Sequence, residues 1–103
     1  MCVCVCVCVC VRVRLCVCVY CQQSVICVHG LSRNGRDFDF LAETLAGADH
    51  FIVYCLDVVG RGESEYLNAD SKETYGYPLY VKDAFAFVQH LGLSTVDFWI
   101  GTR

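Results

Sequence analysis

Three short apolar runs, Val25-Ile26-Cys27-Val28, Phe51-Ile52-Val53-Tyr54-Cys55-Leu56 and Val96-Asp97-Phe98-Trp99-Ile100, each end in a polar or glycine-bearing stretch, and this punctuation constrains the chain more than any other feature. Apolar runs this short suit strands that are covered on both faces. Between them lie two segments of helical period. Asp37 is placed to cap the first, with Phe38, Leu41, Ala42 and Leu45 on one face and Gly47 at the far end. Val81, Ala84, Phe85, Val88 and Leu91 mark the second, which runs up to Gly92. Strand, helix, strand, helix, strand requires a parallel sheet with right-handed crossovers. The fold class is therefore α/β, with a sheet of about three parallel strands and two helices. If the first strand lies between the other two, a switch point opens beside it, and ligands of such sheets bind beyond the carboxyl ends of the strands there. Those ends are His29-Gly30-Leu31 and Gly101-Thr102-Arg103.

The first 21 residues follow another rule. Valines and Leu15 alternate with cysteines, Arg12 and Arg14 from Cys2 to Cys18, which by period alone is an extended strand-like segment. Some 20 extended residues would reach about 65 Å, and no Gly, Pro, Asn or Asp offers a hairpin turn. A TG dinucleotide repeat read in frame after ATG yields Cys-Val-Cys-Val. Residues 1–21 are accordingly read as low-complexity sequence from a translated dinucleotide repeat, and residues 22–103 as the folded domain. A competing reading is a Cys-x-Cys metal array, but β-branched valines stiffen the chain against the convergence a metal ion requires, so no metal site is assigned.

All of the 10 cysteines except Cys27 and Cys55 lie in that segment, so the count does not announce a disulfide scaffold. Cysteines two apart on a strand stand about 6.5–7 Å apart, at or beyond bridging reach. Cys27 and Cys55 read as small core residues. Nothing demands an oxidising compartment, and a cytoplasmic location is the expectation. The run Cys2 to Val11 is shorter than the ~18 residues of a membrane span, and its arginines follow the apolar stretch instead of preceding it as in a signal peptide. With a net charge of −3 and scattered Lys and Arg, nucleic acid is not an expected partner.

Three stretches, in order and each at a strand end, resemble the α/β-hydrolase superfamily: Val28-His29-Gly30-Leu31-Ser32-Arg33-Asn34-Gly35-Arg36-Asp37-Phe38, then Asp57-Val58-Val59-Gly60-Arg61-Gly62-Glu63-Ser64, then Trp99-Ile100-Gly101-Thr102. The resemblance covers about residues 25 to 103 and implies the N-terminal part of an esterase- or lipase-like domain. It implies that the loop His29, Gly30, Leu31 faces the substrate, with the Leu31 N–H as one donor of the oxyanion hole. It makes Asp57, Gly60 and Gly62 an architectural turn, since the acid of the family's triad comes later in the chain. Gly101 and Thr102 match the first two places of the nucleophile elbow G-x-S-x-G, which puts Arg103 where serine belongs. Arginine has no nucleophilic oxygen and is not deprotonated in proteins.

Neither the acid nor the catalytic histidine has a counterpart either: His29, His50 and His90 read as structural or solvated. The resemblance thus implies a truncated hydrolase, inactive as it stands. Its complete form would cleave a small-molecule ester-like bond by Ser-His-acid chemistry, with water and no cofactor. The alternative is a non-catalytic binding protein or a Cys-x-Cys metal-binding protein. Arg33, Asn34, Arg36 and Asp37, and likewise Tyr66, Tyr75, Tyr77 and Tyr80, are read either as pocket lining or as ordinary loop residues. Oligomeric state is not legible.

Overall fold

The computed structural model describes residues 2–6, 12–16, 23–30, 32–47, 51–70, 72 and 74–103. Strand β1 spans Cys2–Cys6, β2 Arg12–Cys16, β3 Gln23–Val28, β4 Phe51–Asp57 and β5 Phe98–Gly101, with helix α1 at Asp39–Gly47 and α2 at Tyr77–Leu91. The sheet order is β1-β2-β4-β3-β5. Strand β3 pairs parallel with β4 on one side and with β5 on the other, so it is the central strand of the βαβαβ unit.

The period-two alternation of β3 distributes the core. Val25 and Cys27 face one way with Val53 and Cys55, under Phe38, Ala42 and Leu45 from the α1 side. Ile26 faces the other way with Tyr54 and Leu56, under Phe87, Val88 and Leu91 of α2. Covering both faces is why these strands read as continuous apolar runs. The rings of Tyr54 and Phe87 meet edge to face at 5.5 Å. Cys27 and Cys55 stand opposite each other in register as buried thiols. A hydrogen bond with Cys55 draws the Cys27 thiol below its ordinary value, against burial, which pushes it up.

The start of β3 is clipped to the start of β5. Asp97 Oδ2 accepts from the backbone N–H of Ser24 at 2.7 Å, and the Asp97 N–H donates to the Ser24 carbonyl at 3.1 Å. The buried Ser24 hydroxyl lies 3.3 Å from the same carboxylate oxygen. A β-strand that begins on a polar residue is thereby satisfied without water.

Four expectations need correction. First, the Cys-Val segment is not one long strand: β1 and β2 pair antiparallel, and β2 lies antiparallel along β4. Residues 7–11 lie outside the described residues. The free edge of β4 supplies ladder partners, and that pairing outweighs the missing turn signals. Second, the helix cap is Asn34, whose side chain accepts from the Arg36 N–H at 2.9 Å, because a 3₁₀ turn at Gly35–Phe38 precedes α1. Asp37 sits inside that turn and pairs with Arg33. Third, Leu41 is exposed, while Phe38 and Ala42 are buried. Fourth, the buried stripe of α2 is rotated toward Phe87 and Leu79, leaving Val81 and Phe85 exposed. Helix α2 carries apolar residues around more of its circumference than one stripe, so period alone does not say which face meets the sheet. Its end is as expected: Gly92 adopts a left-handed conformation at φ 69°, and its N–H reaches the carbonyls of Gln89 and Val88.

Among the described residues, no helix is long and apolar enough to cross a membrane.

Candidate active site at the carboxyl ends of the sheet

Parallel pairing makes β3 and β5 finish side by side. The Thr102 N–H donates to the Val28 carbonyl at 3.1 Å, which carries the ladder one step past the strands. The Gly30 N–H in turn donates to the Thr102 hydroxyl at 3.1 Å. The two backbones then come so close that a Cβ on residue 30 would collide with the backbone of Arg103. Only glycine fits there, and the reason is contact and not dihedral angle. Leu31, the expected N–H donor, lies outside the described residues, as does His50.

His29 is buried at the end of β3, with 6% of its surface exposed. Its Nε2 accepts from the Val58 N–H at 3.1 Å, and its Nδ1 lies 2.8 Å from the Gly30 carbonyl oxygen. The side chain therefore ties the end of β3 to the end of β4.

Asp57, the last residue of β4, ties the same two loops from the other side. Its Oδ1 accepts from the Gly35 N–H at 2.6 Å and its Oδ2 from the Glu63 N–H at 3.0 Å. Its carbonyl accepts from the buried Ser64 hydroxyl at 2.5 Å. A carboxylate receiving backbone N–H bonds is a turn-forming device, and here it organises two turns together. Gly62 has φ 53°, and a Cβ there would also strike the Asp57 carboxylate. Gly60 has φ 80° and donates its N–H to the Glu65 carbonyl at 2.8 Å. Sequence reading named Asp57 and both glycines but passed over Ser64. A hydroxyl after a glycine turn is too common a residue to stand out.

Arg33, Arg36 and Asp37 form surface ion pairs. Arg33 meets Asp37 through two bonds, at 2.8 and 3.0 Å, and its guanidinium holds the Asp37 carboxyl below the usual range. Arg36 reaches Glu63 at 3.4 Å, adding an exposed link between the two loops.

Beside the crevice a cavity of about 570 Å³ opens between β5 and the first turns of α2. Tyr77, Tyr80 and Val81 form one wall, Trp99 another, and His29, Gly30, Thr102 and Arg103 its rim. Tyr77 and Tyr80 thus line a pocket, whereas the Tyr75 hydroxyl accepts from the Leu67 N–H and Tyr66 is exposed. None of Arg33, Asn34, Arg36 and Asp37 lines this cavity. Phe98 and Trp99, taken from sequence as strand residues, are about half exposed.

A parallel β3-β4-β5 unit with helices on opposite faces, ending in a crevice between the first and third strands, is the α/β-hydrolase arrangement, and the chain has that fold and is similar in sequence to hydrolases. An α/β hydrolase from Novosphingobium aromaticivorans superposes with a TM-score of 0.71 at 32% identity, over 88% of this chain and 30% of that one. An epoxide hydrolase from an endophytic Streptomyces shares the fold, with a TM-score of 0.74 at 22% identity over 90% of this chain and 26% of its own. Among curated proteins, the 3-hydroxybutyrate-oligomer hydrolase of Cupriavidus necator is 46% identical over 78 residues, which is 76% of this chain and 25% of that protein. The chain thus spans about a quarter of the length of the curated relative it matches. No family model matches the chain.

Proposed function

We propose that this chain forms the oxyanion-loop side of an ester-cleaving α/β hydrolase and that residues 1–103 alone do not turn over substrate. The observation that carries the reading is the approach of Gly30 to the Thr102 hydroxyl and to the Arg103 backbone, where β3 and β5 end together. In the complete enzyme a serine oxygen, deprotonated by a histidine held by a carboxylate, attacks the ester carbonyl. The carbonyl oxygen gains the negative charge and is met by backbone N–H groups, one of them from Leu31. Collapse of this intermediate expels the alcohol, which takes the proton from the histidine, and water then frees the acid by the same steps in reverse. A donor fixed at the developing charge is worth about 3–4 kcal/mol of barrier. Arg103 occupies the nucleophile's place and supplies no such oxygen.

The substrate class follows the Cupriavidus relative: short esters of hydroxy acids, seated against the Tyr77, Tyr80 and Trp99 walls. No cofactor enters this chemistry. The test is hydrolysis of a nitrophenyl ester and of a 3-hydroxybutyrate dimer. Residues 1–103 and Arg103→Ser are both expected to be silent, while a chimaera that continues Gly101-Thr102 with the corresponding downstream part of the Cupriavidus enzyme is expected to be active. Turnover by residues 1–103 that survives replacement of the loop 29–36 would overturn the proposal.

A further inference from the structure

We propose that Cys27 and Cys55 are a redox site, at which a peroxide converts the buried dithiol into a reversible disulfide that ties β3 to β4. The pair lies within the sheet and apart from the crevice, so it stands or falls independently of the hydrolase reading above.

Register brings the two sulfurs together. Cys27 of β3 is the ladder partner of Cys55 of β4, and both side chains belong to the cluster beneath α1. Neighbouring strands run about 4.7–4.9 Å apart, within the span of about 4.4–6.8 Å between α-carbons that a disulfide bridges. The thiols are close enough to share a hydrogen bond. That bond draws the Cys27 thiol below its ordinary value, against burial, which favours the thiolate that attacks a peroxide.

Access comes through α1. Cys27 and Cys55 are 0% and 1% exposed, so a reagent reaches them only when their cover opens. The cover is thin: of the nine residues of α1 only Ala42 is buried, with Leu45 and Ala46 packed partly buried against the same cluster. A short helix held by so few apolar contacts opens at less cost than the whole fold.

The chemistry proceeds in two displacements. The Cys27 thiolate attacks one oxygen of the peroxide; an S–O bond forms as the O–O bond breaks, and the departing oxygen takes a proton and leaves as water when the oxidant is hydrogen peroxide. The Cys55 sulfur then attacks the sulfenic sulfur of Cys27; the S–S bond forms as the S–O bond breaks, and the Cys55 proton leaves with the oxygen in a second water. The two sulfurs together lose two electrons, and the peroxide gains them. A small dithiol reverses the bridge by exchange. The closed loop contains the 3₁₀ turn and α1, and closing it stabilises the fold by restricting the unfolded chain.

The test treats the full chain with hydrogen peroxide under native conditions, alkylates the remaining thiols and maps tryptic peptides by mass spectrometry. Cys55 is the one cysteine between Arg36 and Arg61, so its peptide reports whichever thiol it joins. The expected result is a link from this peptide to Cys27 that dithiothreitol removes. The oxidised chain should unfold on heating roughly 5 °C or more above the reduced chain, and Cys55→Ala treated in the same way should show no such rise. A Cys55 peptide still alkylated after peroxide, joined to a cysteine of residues 2–21, or carrying a sulfonic acid would overturn the site, and none of these readings needs a variant to fold. A bridge that leaves the midpoint unchanged or lowers it, or an equal rise in Cys55→Ala, would overturn the tie between the strands.

Discussion

Asp57 shows how much of the site depends on single atoms. Its carboxylate accepts two backbone N–H groups from different loops, and its carbonyl accepts Ser64. Hydrogen bonds to a charged group contribute about 1.5–3 kcal/mol each when buried and less when water competes. Asp57 is half-buried, so Asp57→Ala is expected to cost about 2–3 kcal/mol by urea unfolding, and Asp57→Asn less, because one carbonyl oxygen still accepts. At the surface, the Arg33 guanidinium lowers the Asp37 pKa. A carboxyl depressed on folding stabilises above its unfolded pKa, and the benefit is lost as pH falls through the folded value. Arg33→Gln should therefore raise the Asp37 pKa toward the ordinary carboxylate value in an NMR titration. Asp57 was legible as a turn residue because an acidic side chain before a Gly-x-Gly is there to meet backbone N–H groups. The partner at Gly35 was not, since 22 residues separate the two and only the parallel sheet brings them together.

At the scale of elements, run length identified β3, β4 and β5, and period 3.6 identified α1 and α2. Which face of α2 meets the sheet was not readable. Its choice depends on Tyr54, which sits on another strand and takes Phe87 as its ring partner. The distinction is measurable. Phe87→Ala is expected to cost about 3–5 kcal/mol, as for a fully buried aromatic, and Phe85→Ala, at a position 67% exposed, less than about 1 kcal/mol. Equal losses at the two positions would mean that the helix is rotated toward the face its period suggested. The antiparallel pairing of β1 with β2 was not readable for a different reason: β2 takes its place along the edge of β4, which lies far along the sequence.

At the scale of the whole molecule, the ends of β3 and β5 lie side by side. Exposed Trp99 and Val81 line the cavity on the α2 side of β5, and an apolar surface of this kind commonly marks a place of contact. The crevice stands beside that surface, where Gly30 lies against Thr102 and Arg103. A nuclear Overhauser spectrum of the labelled chain tests this most directly. It should show the Gly30 amide proton close to the Thr102 side chain, together with the cross-strand contacts of a parallel ladder from Val25 and Phe98 to Val28 and Gly101. Contacts that instead pair β5 antiparallel, or that place Thr102 away from Gly30, would contradict the account.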